Sequence, residues 1–181
     1  MQDNQRQTLW AYIAGIIDAN GCFMIIKQLR GSEIKKLGWN FNPSYLPAIK
    51  IAMIEKEAVS FITQEAKFGK YRLEGARKSR HNSKSLFHWY LRERKKVIQF
   101  LINVIPYLKI KKNRAEFLLE FCKKIEEYRD NNGTARLSII ELDYREHAYI
   151  KMRMFNGNKV AATTKPQRSV RISDSLNSME T

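Results

Sequence analysis

The sequence predicts an α/β (α+β) sandwich, with helices packed on one side of an antiparallel sheet, and two observations carry that expectation. Apolar periodicity switches repeatedly between the helical and the strand repeat, giving the order α-β-β-α-β-β-α over residues 8–128. No low-complexity linker divides the 181 residues, which are enough for one well-filled core. Residues 1–128 therefore read as the core, and 129–181 as a C-terminal helical extension and tail of the same domain.

Each element has its own signal. Residues 8–20 read as a helix with Leu9, Tyr12, Ile13 and Ile16 on one face, Thr8 as its cap and Gly21 as its stop. Strand-like alternation runs from Cys22 to Arg30, before the turn signal Gly31-Ser32. A second strand is expected at Tyr45–Ile54. The helix after it, Glu55–Lys67, turns Val59, Ile62 and Ala66 inward. Short strands follow at Lys70–Glu74 and Leu86–Arg92, then helical spacing over 93–104, interrupted by Pro106. Asn113–Tyr128 is again helical. Asp130-Asn131-Asn132-Gly133 reads as a turn, residues 141–155 as a helix, and Gly157–Arg168 as loose chain before a short final helix.

Charge narrows the function. Thirty-three Lys and Arg against eighteen Asp and Glu leave +15, with a pI near 9.9. Such an excess favours polyanions, because neutralising phosphates releases counterions. The basic residues are interleaved with strands rather than gathered on one amphipathic helix, which favours nucleic acid over a membrane surface. No apolar run approaches the ~20 residues of a membrane span. Two cysteines, Cys22 and Cys122, make no disulfide framework, and the N-terminus lacks a secretory layout, so an intracellular, reducing compartment is expected.

Small residues set the first helix apart. Ala11, Ala14, Gly15 and Asp18 fall within about a third of its circumference, a stripe that lets a second helix approach backbone to backbone. On spacing alone, packing inside one chain is an equal reading.

The segment Ala14-Gly-Ile-Ile-Asp-Ala-Asn-Gly21 resembles the LAGLIDADG motif of homing endonucleases and maturases, matching at Ala14, Gly15, Ile17, Asp18, Ala19 and Gly21. Pro106-Tyr-Leu-Lys-Ile-Lys111 is similar to a second stretch of that family, and the order of elements over residues 8–128 fits its core. The resemblance implies a saddle-shaped antiparallel sheet with C-terminal helices. It also implies a homodimer, because the motif occurs once, with Ala11, Ala14, Gly15 and Asp18 at the interface. The activity implied is Mg²⁺-dependent, site-specific cleavage of a long, pseudo-palindromic double-stranded DNA site, leaving cohesive 3′ ends. Position 20, with Ala19 beside it, is the implied metal site. Glu55 matches the residue that orients water, and Lys111 the lysine near the scissile phosphate. Val59 stands where some relatives carry a basic residue.

Asn20 departs from the pattern, since the family places a carboxylate there. An amide brings no negative charge, and a hard cation wants anionic oxygens, so Mg²⁺ binding should be weakened and this copy inactive or crippled. Natural loss of cleavage and substitution to trap uncut DNA both give this residue, and the intact surroundings favour the second. A maturase-like RNA-splicing cofactor or a DNA-binding regulator, needing no carboxylate, is the alternative.

Alternation selects the residues that read bases. In the first strand Phe23, Ile25 and Leu29 make the core face, with Lys27 the exception. Met24, Ile26, Gln28 and Arg30 then face DNA, the first two suited to thymine methyls and the others to adenine and guanine. Lys50, Lys70, Arg72, His88 and Tyr90 follow on the later strands, with Phe87, Trp89 and Leu91 inward. Arg77, Arg80, Lys159 and Lys165 are expected on phosphates. Abundant Ile, Lys and Asn is what AT-rich coding gives. With the resemblance to intron-encoded organellar enzymes, it points to a chloroplast or mitochondrion, a bacterial cytoplasm being the other expectation.

Overall fold

The computed structural model describes residues 2–29, 42–75, 85–132 and 137–157. The elements are α1 (Gln2–Asn20), β1 (Gly21–Gln28), β2 (Ser44–Met53), α2 (Lys56–Glu65), β3 (Lys70–Glu74), β4 (Leu86–Leu91), α3 (Arg94–Val104), α4 (Lys112–Asn132) and α5 (Ile139–Phe155). One 3-10 turn, Ile105–Tyr107, carries Pro106 in its first residues, where the missing N–H costs no helical bond. The strands form a single antiparallel sheet in the order β1-β2-β4-β3.

One face of the sheet is the core. Phe23, Ile49, Ile51 and Trp89 are fully buried against Ile13, Ala14 and Ile17 of α1, Val59 and Ile62 of α2, Phe100 of α3 and Phe121 of α4. Ala148 and Met152 bring α5 into the same core. Two glycines are fixed by close approach. A Cβ on Gly21 would sit 2.8 Å from the Ile17 backbone, where α1 passes straight into β1. Gly69, at φ +73°, leaves room for the Trp89 ring, whose indole N–H donates to the Phe68 carbonyl at 3.0 Å.

Lys27, on the core side of β1, is accommodated rather than exposed. Its ammonium lies 2.6 Å from Glu146 of α5 and over the rings of Tyr45 and Tyr149, while the Tyr45 hydroxyl also donates to Glu146. Burial raises the Glu146 pKa, but the bonds from Lys27 and Tyr45 outweigh it, so the carboxyl stays below its ordinary range. Asn156 donates to the Phe23 carbonyl at 2.8 Å and so occupies part of the β1 edge.

Several expectations need correction. Helix α1 starts at residue 2, and Thr8 lies within it, its hydroxyl donating to the Asn4 carbonyl rather than capping. Leu29 lies past the end of β1 and is 69 % exposed, because the core ends with the strand. The turn expected at Asp130–Gly133 is helical through Asn132, since α4 outlasts its apolar pattern. Helix α5 is capped by Ser138, which accepts from the Glu141 N–H, so it begins before residue 141. The expected loose chain and final helix beyond Gly157 lie outside the described residues.

Candidate nucleic-acid interface

Helix α1 and the loop before α4 hold each other by an exchange of charges. The Asp18 carboxylate accepts the backbone N–H groups of Lys109, Ile110 and Lys111 at 2.8, 3.2 and 2.9 Å. In return the Lys111 ammonium donates to the carbonyls of Ile17 at 2.9 Å, Gly21 at 2.8 Å and, more loosely, Ala19 at 3.5 Å. A cation on the carbonyls at a helix C-terminus satisfies groups the helix leaves unbonded, and meets the negative end of its dipole. Burial raises the Asp18 pKa, but the three N–H groups and the Lys111 charge outweigh it, and the net shift is downward. Burial, then the nearby Arg114 charge, lower the Lys111 pKa, against Cys22 and Asp18.

This clasp fixes the exposed end of α1, where Asn20 lies. Gly21 pairs with Ile51, so Asn20 and the exit of β2 toward Glu55 stand at the same end of the sheet. Glu55 is the exposed N-cap residue of α2 without a side-chain capping bond, and it shares a groove with Tyr12 and Phe61. Val59 is in the core, so the helix offers no basic group there.

The stripe of small residues divides. Ala11 and Gly15 are exposed, and a Cβ on Gly15 would meet nothing within 4 Å. Ala14 turns inward and is fully buried, so its side chain packs within its own chain. Asp18 is half-buried and spent on the loop before α4.

Opposite the helices, the sheet presents its second face. Alternation along β1 and β2 puts Cys22, Met24, Ile26 and Gln28 there, paired with Lys50, Ala48, Leu46 and Ser44 respectively. On the other strands the same face carries Tyr90 opposite Lys70 and His88 opposite Arg72. The cations gather around one ring: Lys50 Nζ and the guanidinium carbons of Arg72 and Arg92 lie 5.4, 5.4 and 5.2 Å from the Tyr90 centroid. A cavity of about 500 Å³ opens beside them, lined by Lys70, Arg72, Tyr90, Arg92 and Lys96. Among the described residues, Lys50, Lys70, Arg72 and Arg92 pair with no carboxylate. His88 lies on the expected face but is only 5 % exposed, held between the Tyr90 hydroxyl at 2.8 Å and the Glu74 carboxylate. Of its predicted core neighbours on β4, Trp89 and Leu91 are buried and Phe87 is half-buried.

Arg92, Leu46 and Ala48 were not singled out from the sequence, although the alternation that selects Tyr90 and Lys50 also selects them. The Asp18 clasp has no local signal, since its partners lie more than ninety residues away. Arg30, Arg77, Arg80, Lys159 and Lys165 lie outside the described residues. Among the described residues no group of three His, Cys, Asp or Glu side chains is placed to hold a metal ion. No described helix is long and apolar enough to cross a membrane.

No family model and no curated protein matches the sequence. Solved structures do match in shape. The homing endonuclease I-CvuI, solved with uncleaved DNA in the presence of 2 mM Mg, aligns with a TM-score of 0.54 at 16% identity, over 86% of this chain and 99% of its own. The LAGLIDADG homing endonuclease I-GzeII, in complex with its DNA target, aligns at 0.55 and 17% identity over 80% of this chain and 43% of its own. The meganuclease I-SmaMI, bound to uncleaveable DNA, gives 0.56 at 9% identity over 79% and 44%. This chain thus spans nearly all of I-CvuI and less than half of the other two.

Proposed function

Because the chain adopts the fold of the LAGLIDADG homing endonucleases, we propose that it is a homodimeric, sequence-specific double-stranded-DNA-binding protein of that type, with cleavage disabled at Asn20. The observation that carries this reading is the sheet face opposite the helices. It holds four cations that have no acidic partner among the described residues, and it begins at the exposed end of α1. A twisted antiparallel sheet of this kind fits the major groove, and its alternate side chains reach base edges. Met24, Ile26, Gln28, Lys50, Lys70, Arg72 and Tyr90 are the residues assigned to DNA. His88, beside Tyr90 on the same strand, lies 2.8 Å from its hydroxyl and helps hold it in place. Arg30, Arg77, Arg80, Lys159 and Lys165 stay assigned to DNA from the sequence alone.

Two copies meeting along α1 account for Gly15. A helix-interior glycine costs about 0.5–1 kcal/mol relative to alanine, and nothing among the described residues fills the space its missing side chain leaves. A second helix crossing at Ala11 and Gly15 does need that space. Ala14 drops out of the proposed interface, and Asp18 serves it only by fixing the end of α1.

Cleavage by this family type needs a divalent cation such as Mg²⁺, to activate water and stabilise the leaving oxygen. The groups present do not fit one. Asn20 offers a neutral amide, the Asp18 carboxylate already accepts three N–H groups, and the Ala19 carbonyl faces the Lys111 ammonium. Glu55 and Lys111 remain assigned to orienting water and placing positive charge at the scissile end. The same neutral residue favours a second reading, a maturase-like RNA cofactor or a DNA-binding regulator on this fold.

The test is selection from a random duplex pool, followed by sedimentation of the complex. The expected result is a two-fold-symmetric site holding two protomers, with duplex preferred over structured intron RNA. One protomer per duplex, or RNA outcompeting it, overturns the reading.

A further inference from the structure

The sheet face that carries the cations is chemically divided, and the division specifies part of its ligand. Two adjacent rows of β1 and β2, Met24 opposite Ala48 and Ile26 opposite Leu46, carry no polar side-chain atom apart from the Met24 thioether. Met24, Ile26 and Leu46 are half-buried on a face that no described helix covers, and the buried Ala48 lies between them. The row beyond is Gln28 opposite Ser44. On the other side lies Cys22 opposite Lys50, where the cationic group around Tyr90 begins.

We infer that this apolar patch reads the C5-methyl groups of thymines, selecting A·T pairs at two or three consecutive positions outward from the motif end. The inference rests on duplex DNA being the ligand, as proposed above. Charge complementarity identifies the occupant. A protein or lipid partner would need only the patch, whereas the cations adjoining it on the Lys50 side of the same face suit the phosphates that border a groove. In the major groove only thymine offers an apolar group at the base edge, so an apolar surface there distinguishes T from C by contact rather than by hydrogen bonds. The dimensions agree. Rows two residues apart are about 7 Å apart along a strand, which is about two base-pair steps. A G·C pair under this patch would offer no methyl, so its polar edge would meet these side chains without the apolar contact that an A·T pair supplies.

The experiment uses the full chain and the duplex recovered from a random pool. Thymines are replaced one at a time by deoxyuridine, which removes the methyl and leaves the hydrogen-bonding edge unchanged. Two or three adjacent positions in each half-site should each weaken binding about fourfold per methyl lost, while the remaining thymines tolerate the change. At the sensitive positions, 5-methylcytosine paired with guanine should bind better than cytosine paired with guanine. Met24→Gln should abolish the uracil effect at one of these positions while leaving the others sensitive. Uracil tolerated everywhere by a duplex that binds tightly overturns the methyl inference and leaves the DNA reading standing. Equal binding of methylated and unmethylated cytosine also overturns it, assigning the A·T preference to groove shape. No duplex preferred over random sequence sinks both.

Discussion

The charges at the end of α1 and those at the β3–β4 edge are used in opposite ways. At the end of α1, Asp18 and Lys111 are committed to backbone, taking three N–H groups and three carbonyls between them. Around Tyr90, Lys50, Arg72 and Arg92 lie against the ring and, among the described residues, pair with no carboxylate, and a cation over an aromatic face keeps most of its capacity for an anion. The first arrangement builds architecture, because it ties the C-terminal end of α1 to the loop before α4 through backbone groups that the helix and loop leave unbonded. The second leaves charge available for a polyanion. Residue type alone does not separate Lys111 from Lys50, Arg72 and Arg92, since each is a basic residue with no local mark of its use.

Substitutions should break this contrast in a definite order of stability effects. Asp18→Ala removes the acceptor of three N–H groups and should lower the unfolding free energy by about 2–3 kcal/mol, read from the denaturant midpoint. A loss under half of that would show that the loop before α4 finds other partners. Lys111→Met keeps the stem and removes only the ammonium, so about 1–2 kcal/mol is expected in the same assay. Glu146 extends the contrast to α5. Its depressed pKa means that its contribution is fully present above the ordinary carboxylate range and is lost as pH falls through the folded-state value. Glu146→Gln should therefore melt below the parent at neutral pH and converge with it in acid, and parallel curves across that range would contradict the assignment. The smallest stability effect belongs to the Tyr90 group. Arg72→Ala and Arg92→Ala should each stay within about 0.5 kcal/mol of the parent. Each should nevertheless lower the slope of DNA affinity against salt by about one.

How far the sequence discloses the molecule follows the same divide. Wherever one face of an element is buried, the pattern is legible. Phe23 and Ile25 on β1, Val59 and Ile62 on α2, and Trp89 on β4 are where alternation and helical spacing put them. Boundaries fare worse. The first turns of α1 and the last of α4 carry little apolar patterning, so Thr8 looks like a start although α1 begins before it, and Asp130 looks like a turn although α4 runs through Asn132. Ala14 shows the limit of spacing, because a small residue at the rim of a stripe can turn either to a partner or to its own core. Lys27 shows the reverse case, a charge on the core face whose partners, Glu146 and Tyr149, come from a helix more than a hundred residues on. Interactions of such long range leave no trace in a local window. For the candidate site, the strand faces and Asn20 were legible from alternation and motif, whereas the bonding of Lys111 was not.

On the proposed reading, the end of α1 lacks an anionic oxygen at position 20. Asn20→Asp supplies it while changing almost nothing in shape. The direct measurement is incubation of that variant and its parent with their selected duplex, with Mg²⁺ and with chelator. The account predicts Mg²⁺-dependent scission of both strands by the variant alone, at the centre of a site both proteins bind. A duplex that the variant binds and leaves intact at every Mg²⁺ concentration contradicts it.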